Sequence, residues 1–118
     1  MTIAGTVSIK KQFQNREPGP RAAYDALLAG LREFGPVKEA PKQTSIHLEK
    51  NSGFAGVHPR QKHFNLEFRT NYAINDPRIA RTQRLSANRF EHTVKVDDPA
   101  QVDAQLLGWL KDAYELSR

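Results

Sequence analysis

In His63-Phe64-Asn65-Leu66-Glu67-Phe68-Arg69, apolar side chains alternate with polar ones. A period of two puts Phe64, Leu66 and Phe68 on one face of a strand and Asn65, Glu67 and Arg69 on the other. One buried and one solvated face is the signature of an antiparallel sheet covered on a single side. The rhythm continues outward in both directions. Upstream, Ile46 and Leu48 alternate with Ser45, His47 and Glu49; Asn51-Ser52-Gly53 is a turn cluster, Phe54 to Val57 a short strand, and His58-Pro59-Arg60-Gln61 the next turn. Downstream, Phe90, His92, Val94 and Val96 point inward between Arg89, Glu91, Thr93 and Lys95. The stretch from Asn71 to Asn88 is long for a structureless connection, so it should hold an element of its own; the expectation is a short strand over Ile79 to Arg84, turned by Leu85 to Asn88.

On either side of this region the period changes to that of a helix. Tyr24, Leu27, Leu28, Leu31 and Phe34 lie on one helical face of Arg21 to Phe34, with Pro20 suited to the first turn and Gly35-Pro36 to the stop. Asp98-Pro99-Ala100-Gln101 reads as an N-cap, a first-position proline and a capping-box glutamine. The helix expected there carries Val102, Leu106, Trp109, Leu110 and Ala113 as its apolar stripe, with Tyr114 at the edge. Residues 1–18 end in Glu17-Pro18-Gly19 and lack sustained periodicity; they read as a flexible arm, which Val7, Ile9 and Phe13 would allow to dock in part, for instance as an edge strand. The fold expected is therefore α+β over residues 19–118: helix, a four- or five-stranded mainly antiparallel meander, then helix, with both helices on one sheet face.

At 118 residues the chain suits one domain, and 38% hydrophobic residues suffice for a core. Without cysteine, disulfide frameworks and thiolate metal sites are excluded, and a cytoplasmic location is the expectation. No segment reads as a signal peptide or a membrane span. The formal charge of +5 is uneven: residues 42–95 carry ten Lys or Arg against four Asp or Glu, while residues 96–118 carry two against five. All four histidines also fall in the basic middle. An electropositive surface favours acidic partners, nucleic acid among them.

Several short motifs occur in a fixed order: Phe34-Gly35-Pro36, Lys42 before an Ile-x-Leu strand, and Phe54-Ala55-Gly56-Val57-His58-Pro59-Arg60. A Leu-x-Phe strand, Arg89-Phe90-x-His92-x-Val94 and a terminal Leu-Lys-x-Ala-Tyr helix follow. Together, over Pro20 to Leu116, they resemble Domain of Unknown Function 5655. That resemblance implies a small α+β domain, found alone or attached to other bacterial domains, with no assigned activity and no catalytic residue to carry over.

Candidate chemistry comes from the residues alone. Arg60, Lys62, Arg69, Arg78, Arg81, Arg84 and Arg89 lie on consecutive elements that a meander brings side by side, and guanidinium forks suit phosphate. The alternative is an ordinary solvated face. His92, inward between Phe90 and Val94, is either a base or anion contact in a pocket with Lys42 and Arg89, or a core histidine hydrogen-bonded to a carbonyl or hydroxyl. His47, His58, His63 and His92 match no metal-ligand spacing, so neither a metal nor a cofactor is expected. Phe64, Phe68 and Phe90 point inward, which leaves Tyr72 as the ring expected to be exposed and no stacking platform for single-stranded nucleic acid. Gly53 and Gly56 read as turn and close-packing glycines, and no serine sits in a nucleophile elbow. The sequence thus reads as a non-enzymatic binding module whose basic sheet face holds an acidic partner such as nucleic acid. The alternatives are a protein-interaction or homo-oligomerisation domain that pairs through an exposed sheet edge, and a small-anion pocket at His92.

Overall fold

A computed structural model describes residues 6–117. Its elements are α1 (Ile9–Phe13), α2 (Pro18–Arg32), β1 (Lys38–Pro41), β2 (Ile46–Glu49), β3 (Gly53–Pro59), β4 (Phe64–Thr70), β5 (Ile79–Ser86), β6 (Arg89–Val96), a 3-10 turn (Pro99–Gln101) and α3 (Ala104–Leu116). The six strands form one antiparallel sheet. Ile46, Leu48, Val57, Phe64, Leu66, Phe68, Val94 and Val96 are buried beneath the helices, as alternation requires. Tyr24 of α2 meets Phe64 edge to face at 6.5 Å; on α3, Trp109 stacks on Phe68 at 6.3 Å and Tyr114 meets Phe54 at 5.3 Å. Both helices therefore cover the same sheet face. Gly30 lets them approach closely, since a Cβ there would come within 2.8 Å of a Leu107 methyl.

The structure departs from the expected meander at the far edge. Strand order is β1-β2-β3-β4-β6-β5, so β6 lies between β4 and β5, and those two run in the same direction. A hairpin cannot join parallel strands. The connection, residues 71–78, must run back along the sheet. By register it runs from the level of Phe90, opposite Thr70, to that of Val94, opposite Ile79: four residues or about 13 Å along the strands and two strand spacings across, a span too short to need all eight residues extended. The segment ends in a turn closed by Ile79 N donating to Asp76 O at 3.0 Å and holds neither helix nor strand. Instead it is fastened along α3: Tyr72 Oη donates to Asp112 at 2.5 Å, Gln105 Nε2 to Asp76 at 3.0 Å, and Arg78 Nη1 to Asp103 at 2.9 and 3.0 Å.

Three further differences have local causes. β1 escapes sequence reading because it is four residues long, ends in proline and turns Glu39 toward the helix layer, where the carboxylate accepts from Tyr24 and Arg32. The capping box at Asp98 and Gln101 forms but caps only the 3-10 turn; α3 starts again at Ala104, with Asp103 accepting from Leu106 N at 3.0 Å. The expected flexible arm extended through Pro18. Its described part, residues 6–18, is folded onto the domain, while residues 1–5 lie outside the described residues. Phe13 is the reason, being only 6% exposed against Tyr24 and Phe64. No helix among the described residues is long and apolar enough to cross a membrane.

Candidate functional site

Three concave regions stand at different places on the domain; one of about 310 Å³, lined by Arg69, Arg89 and Ser52 among others, adjoins the C-terminal end of α3, and the other two carry more of the charged side chains. Of those two, one lies on the uncovered face, above Gly56, where a missing side chain faces Glu67 on one neighbouring strand and His47 on the other. This depression, about 390 Å³, is lined by His47, His58, Glu67, Arg69 and Glu91 among others. Its carboxylates are each met by a neighbour: His58 Nε2 lies 2.5 Å from Glu67, and Arg69 Nε donates to Glu91 at 3.2 Å. The face expected to be basic is thus amphoteric at its centre.

The other region is a cleft of about 350 Å³ at one end of the sheet, between α1 and the β1–β2 and β3–β4 turns. Ser8 caps α1 by accepting from Lys11 N at 3.3 Å, and Phe13 anchors the helix in the core. Gln12 then joins α1 to the β1–β2 turn, its Nε2 donating to Val7 O, Lys42 O and Ser45 O at 2.9 to 3.0 Å. Its Oε1 is buried without a partner, so the amide acts entirely through its donors. Asn15, at φ 60°, reverses the chain; its carbonyl accepts from Gln61 Nε2 at 3.1 Å, and Glu17 N donates to Gln61 O at 3.2 Å. These bonds bring Lys11, Arg16 and Arg60 to the lining of one cleft, with Gln43, Thr44 and Gln61. None of the residues lining this cleft is acidic.

Of the arginines singled out in the sequence, Arg69 and Arg89 line one depression and the others are dispersed. Arg69 and Arg81 are on the open face, opposite Glu91 and Thr93, and Arg89 opens the strand at the hairpin end. Arg84 pairs with Phe90, and its guanidinium lies 5.8 Å from that ring. Arg78 is tied to Asp103, Gln105 and the Gln101 carbonyl on the helix side. Arg60 and the neighbouring Lys62 stand at the opposite end of the sheet, in the β3–β4 turn. Lys11 and Arg16 were missed because they lie in a segment without helical or strand periodicity; their only sequence signal is basic residues flanking the docking residue Phe13.

The proposed pocket of Lys42, Arg89 and His92 is not assembled. Lys42, in the β1–β2 turn, is three to four strand spacings from β6, about 14–19 Å. His92 is fully buried, its Nε2 2.9 Å from Thr70 Oγ1 and 3.3 Å from Tyr72 O, and its Nδ1 3.1 Å from Thr82 Oγ1. Thr70 Oγ1 donates to Tyr72 O at 2.6 Å, so it accepts from Nε2–H, and Nδ1 accepts from the Thr82 hydroxyl. Both ring nitrogens are satisfied. Burial holds the imidazole below its ordinary pKa, opposed by the bond to Tyr72 O. The histidine serves the fold: it satisfies the backbone of the crossover that covers it. Among the described residues no three His, Asp or Glu side chains are grouped to hold a metal.

No curated protein and no solved structure matches the chain. A family model does match, over residues 9–117, and by that match across nearly its whole length the chain belongs to the family described as Domain of unknown function (DUF5655).

Proposed function

We propose that the domain is a binding module for a phosphate-bearing acidic partner, nucleic acid first, and that its contact surface is the cleft beside α1 instead of the strand face. A comparison of charge carries this reading. In the largest depression Arg69 is held against Glu91, and the depression beside α3 adds only Arg89 to that same paired Arg69, whereas the cleft is lined by Lys11, Arg16 and Arg60 with no acidic residue. Unneutralised cations in a concave surface focus positive potential. The two guanidinium groups offer paired donors to phosphate oxygens, and Gln43, Thr44 and Gln61 offer neutral ones. No aromatic ring lines the cleft, so bases would not be stacked and recognition would rest on the backbone, independent of sequence.

Fluorescence anisotropy with labelled DNA and RNA oligonucleotides, single-stranded and duplex, tests this. Three phosphate contacts predict a slope of about −2.7 in log K against log salt, a loss of about 40-fold between roughly 50 and 200 mM. Lys11→Ala with Arg16→Ala and Arg60→Ala should flatten the slope and weaken all sequences alike, with circular dichroism checking the fold. Arg81→Ala with Arg84→Ala should change little. Undetectable or salt-independent binding refutes the proposal.

A further inference from the structure

The two edges of the sheet are built differently. β1 is four residues long, ends in Pro41, and is continued by Val7 N donating to Lys42 O at 2.9 Å. β5 is eight residues long, and every residue after Ile79 is exposed. Register shifts at Ile79/Arg81 and Arg84/Ser86 leave Arg81-Thr82-Gln83-Arg84 as its regular stretch. A strand paired on one side directs alternate N–H and C=O groups outward, a template for another strand. Nothing acidic lies between Ile79 and Ser86, and neither Arg81 nor Arg84 is in an ion pair among the described residues.

Two arginines usually protect an edge, and here they also select what joins it. In a two-fold antiparallel pair, residues facing one another must share a sheet face, so the axis passes through a residue position. If it passes through Arg81 or Arg84, that arginine faces its own copy. If it passes through Thr82 or Gln83, Arg81 or Arg84 respectively stands diagonal to its copy, still within reach of long side chains. Every such register of two β5 strands therefore sets like charges together. A strand carrying carboxylates meets the opposite situation. Arg81 pairs with Thr93, an open-face residue, and Arg84 pairs with Phe90 on the helix side, so the matching acidic residues are three apart. Leu85, 44% exposed, adds an apolar contact near the hairpin end.

We propose that β5 is a docking edge for an extended acidic segment of a partner polypeptide, which adds to the six-stranded sheet as one more strand, with carboxylates beside Arg81 and Arg84. Main-chain pairing would supply the affinity and the two arginines the selectivity. The site is across the sheet from the α1 cleft and does not depend on it.

The test uses the full chain and an acetylated, amidated heptapeptide Thr-Glu-Val-Thr-Glu-Val-Thr, followed by NMR titration and calorimetry. Binding is expected with amide shifts and slowed exchange confined to β5 and β6. Arg81→Glu with Arg84→Glu should weaken it roughly tenfold or more, about 1.4 kcal/mol. The same peptide N-methylated at alternate residues along either edge should lose binding on one edge only, while Lys11→Glu with Arg60→Glu should leave it unchanged. No binding at millimolar peptide, equal binding by both N-methylated peptides, or a β5-mediated dimer in sedimentation would each overturn the proposal.

Discussion

Replacing Arg78 by alanine tests whether the β4–β5 crossover is held by its polar links to α3. The guanidinium donates to both oxygens of Asp103 at 2.9 and 3.0 Å, to Gln105 Oε1 at 3.0 Å and to Gln101 O at 2.6 Å, and lies 5.9 Å from the Trp109 ring. Its side chain is only 25% exposed, whereas that of Asp103 is 48% exposed and can rehydrate. The ion pair is accordingly worth no more than about 1 kcal/mol. The bond to the Gln101 carbonyl contributes about 1 kcal/mol and the ring contact about 0.5 kcal/mol. The expected loss is about 2.5 kcal/mol, or roughly 10 °C in Tm for a domain of this size. Urea unfolding followed by Trp109 fluorescence should show a lower midpoint with an unchanged slope. Arg78→Lys keeps the charge without the planar fork and should recover less than half of the loss. A loss below about 0.5 kcal/mol for Arg78→Ala would mean that apolar packing holds the crossover and that the reasoning is wrong.

Other outcomes follow from the same geometry. Because the His92 pKa is lowered in the native state, the unfolded chain takes up a proton first as pH falls below about 6.5; stability is full above that value and declines on acidification toward the native pKa. Comparing urea midpoints at about pH 7.5 and 5.5, His92→Leu should lack the part of the decline that His92 causes. Burial first, then the bond to Asp112, pushes the Tyr72 hydroxyl up to about 12, so its contribution is present below about pH 10 and is lost as pH rises through about 12. Tyr72→Phe should remove that alkaline component from a pH-stability profile. Two helix glycines should respond with opposite sign. Gly108 faces open space, and Gly108→Ala should stabilise by about 0.5–1 kcal/mol, whereas a Cβ at Gly19 would lie against the Asp97 carbonyl oxygen, so Gly19→Ala should destabilise by at least about 1 kcal/mol in thermal denaturation.

Local chemistry alone made much of this architecture legible. Alternation at Phe64, Leu66 and Phe68, and helical spacing at Tyr24, Leu27, Leu28 and Leu31, specify which face each element buries, because a side chain's direction depends only on its own backbone period. The inward place of His92 followed from the same rule. Tertiary structure decided what that rule cannot reach. Whether β5 lies beside β4 or beyond β6 depends on pairings between distant residues, and the fully exposed run after Ile79 carries no apolar pattern to announce its place at the edge.

The candidate site shows the same division. That the middle of the chain is basic could be counted from residues; which cations remain without a carboxylate could not, since Arg69 meets Glu91 across a strand pair and Arg78 meets Asp103 across the helix layer. Lys11 and Arg16 share a cleft with Arg60 only because Phe13 and Gln12 dock the N-terminal segment onto the sheet. Sequence determines how many charges the protein has and which way each strand and helix faces. Folding determines which charges are neighbours, because electrostatic energy depends on separation in space, and separation along the chain does not predict it.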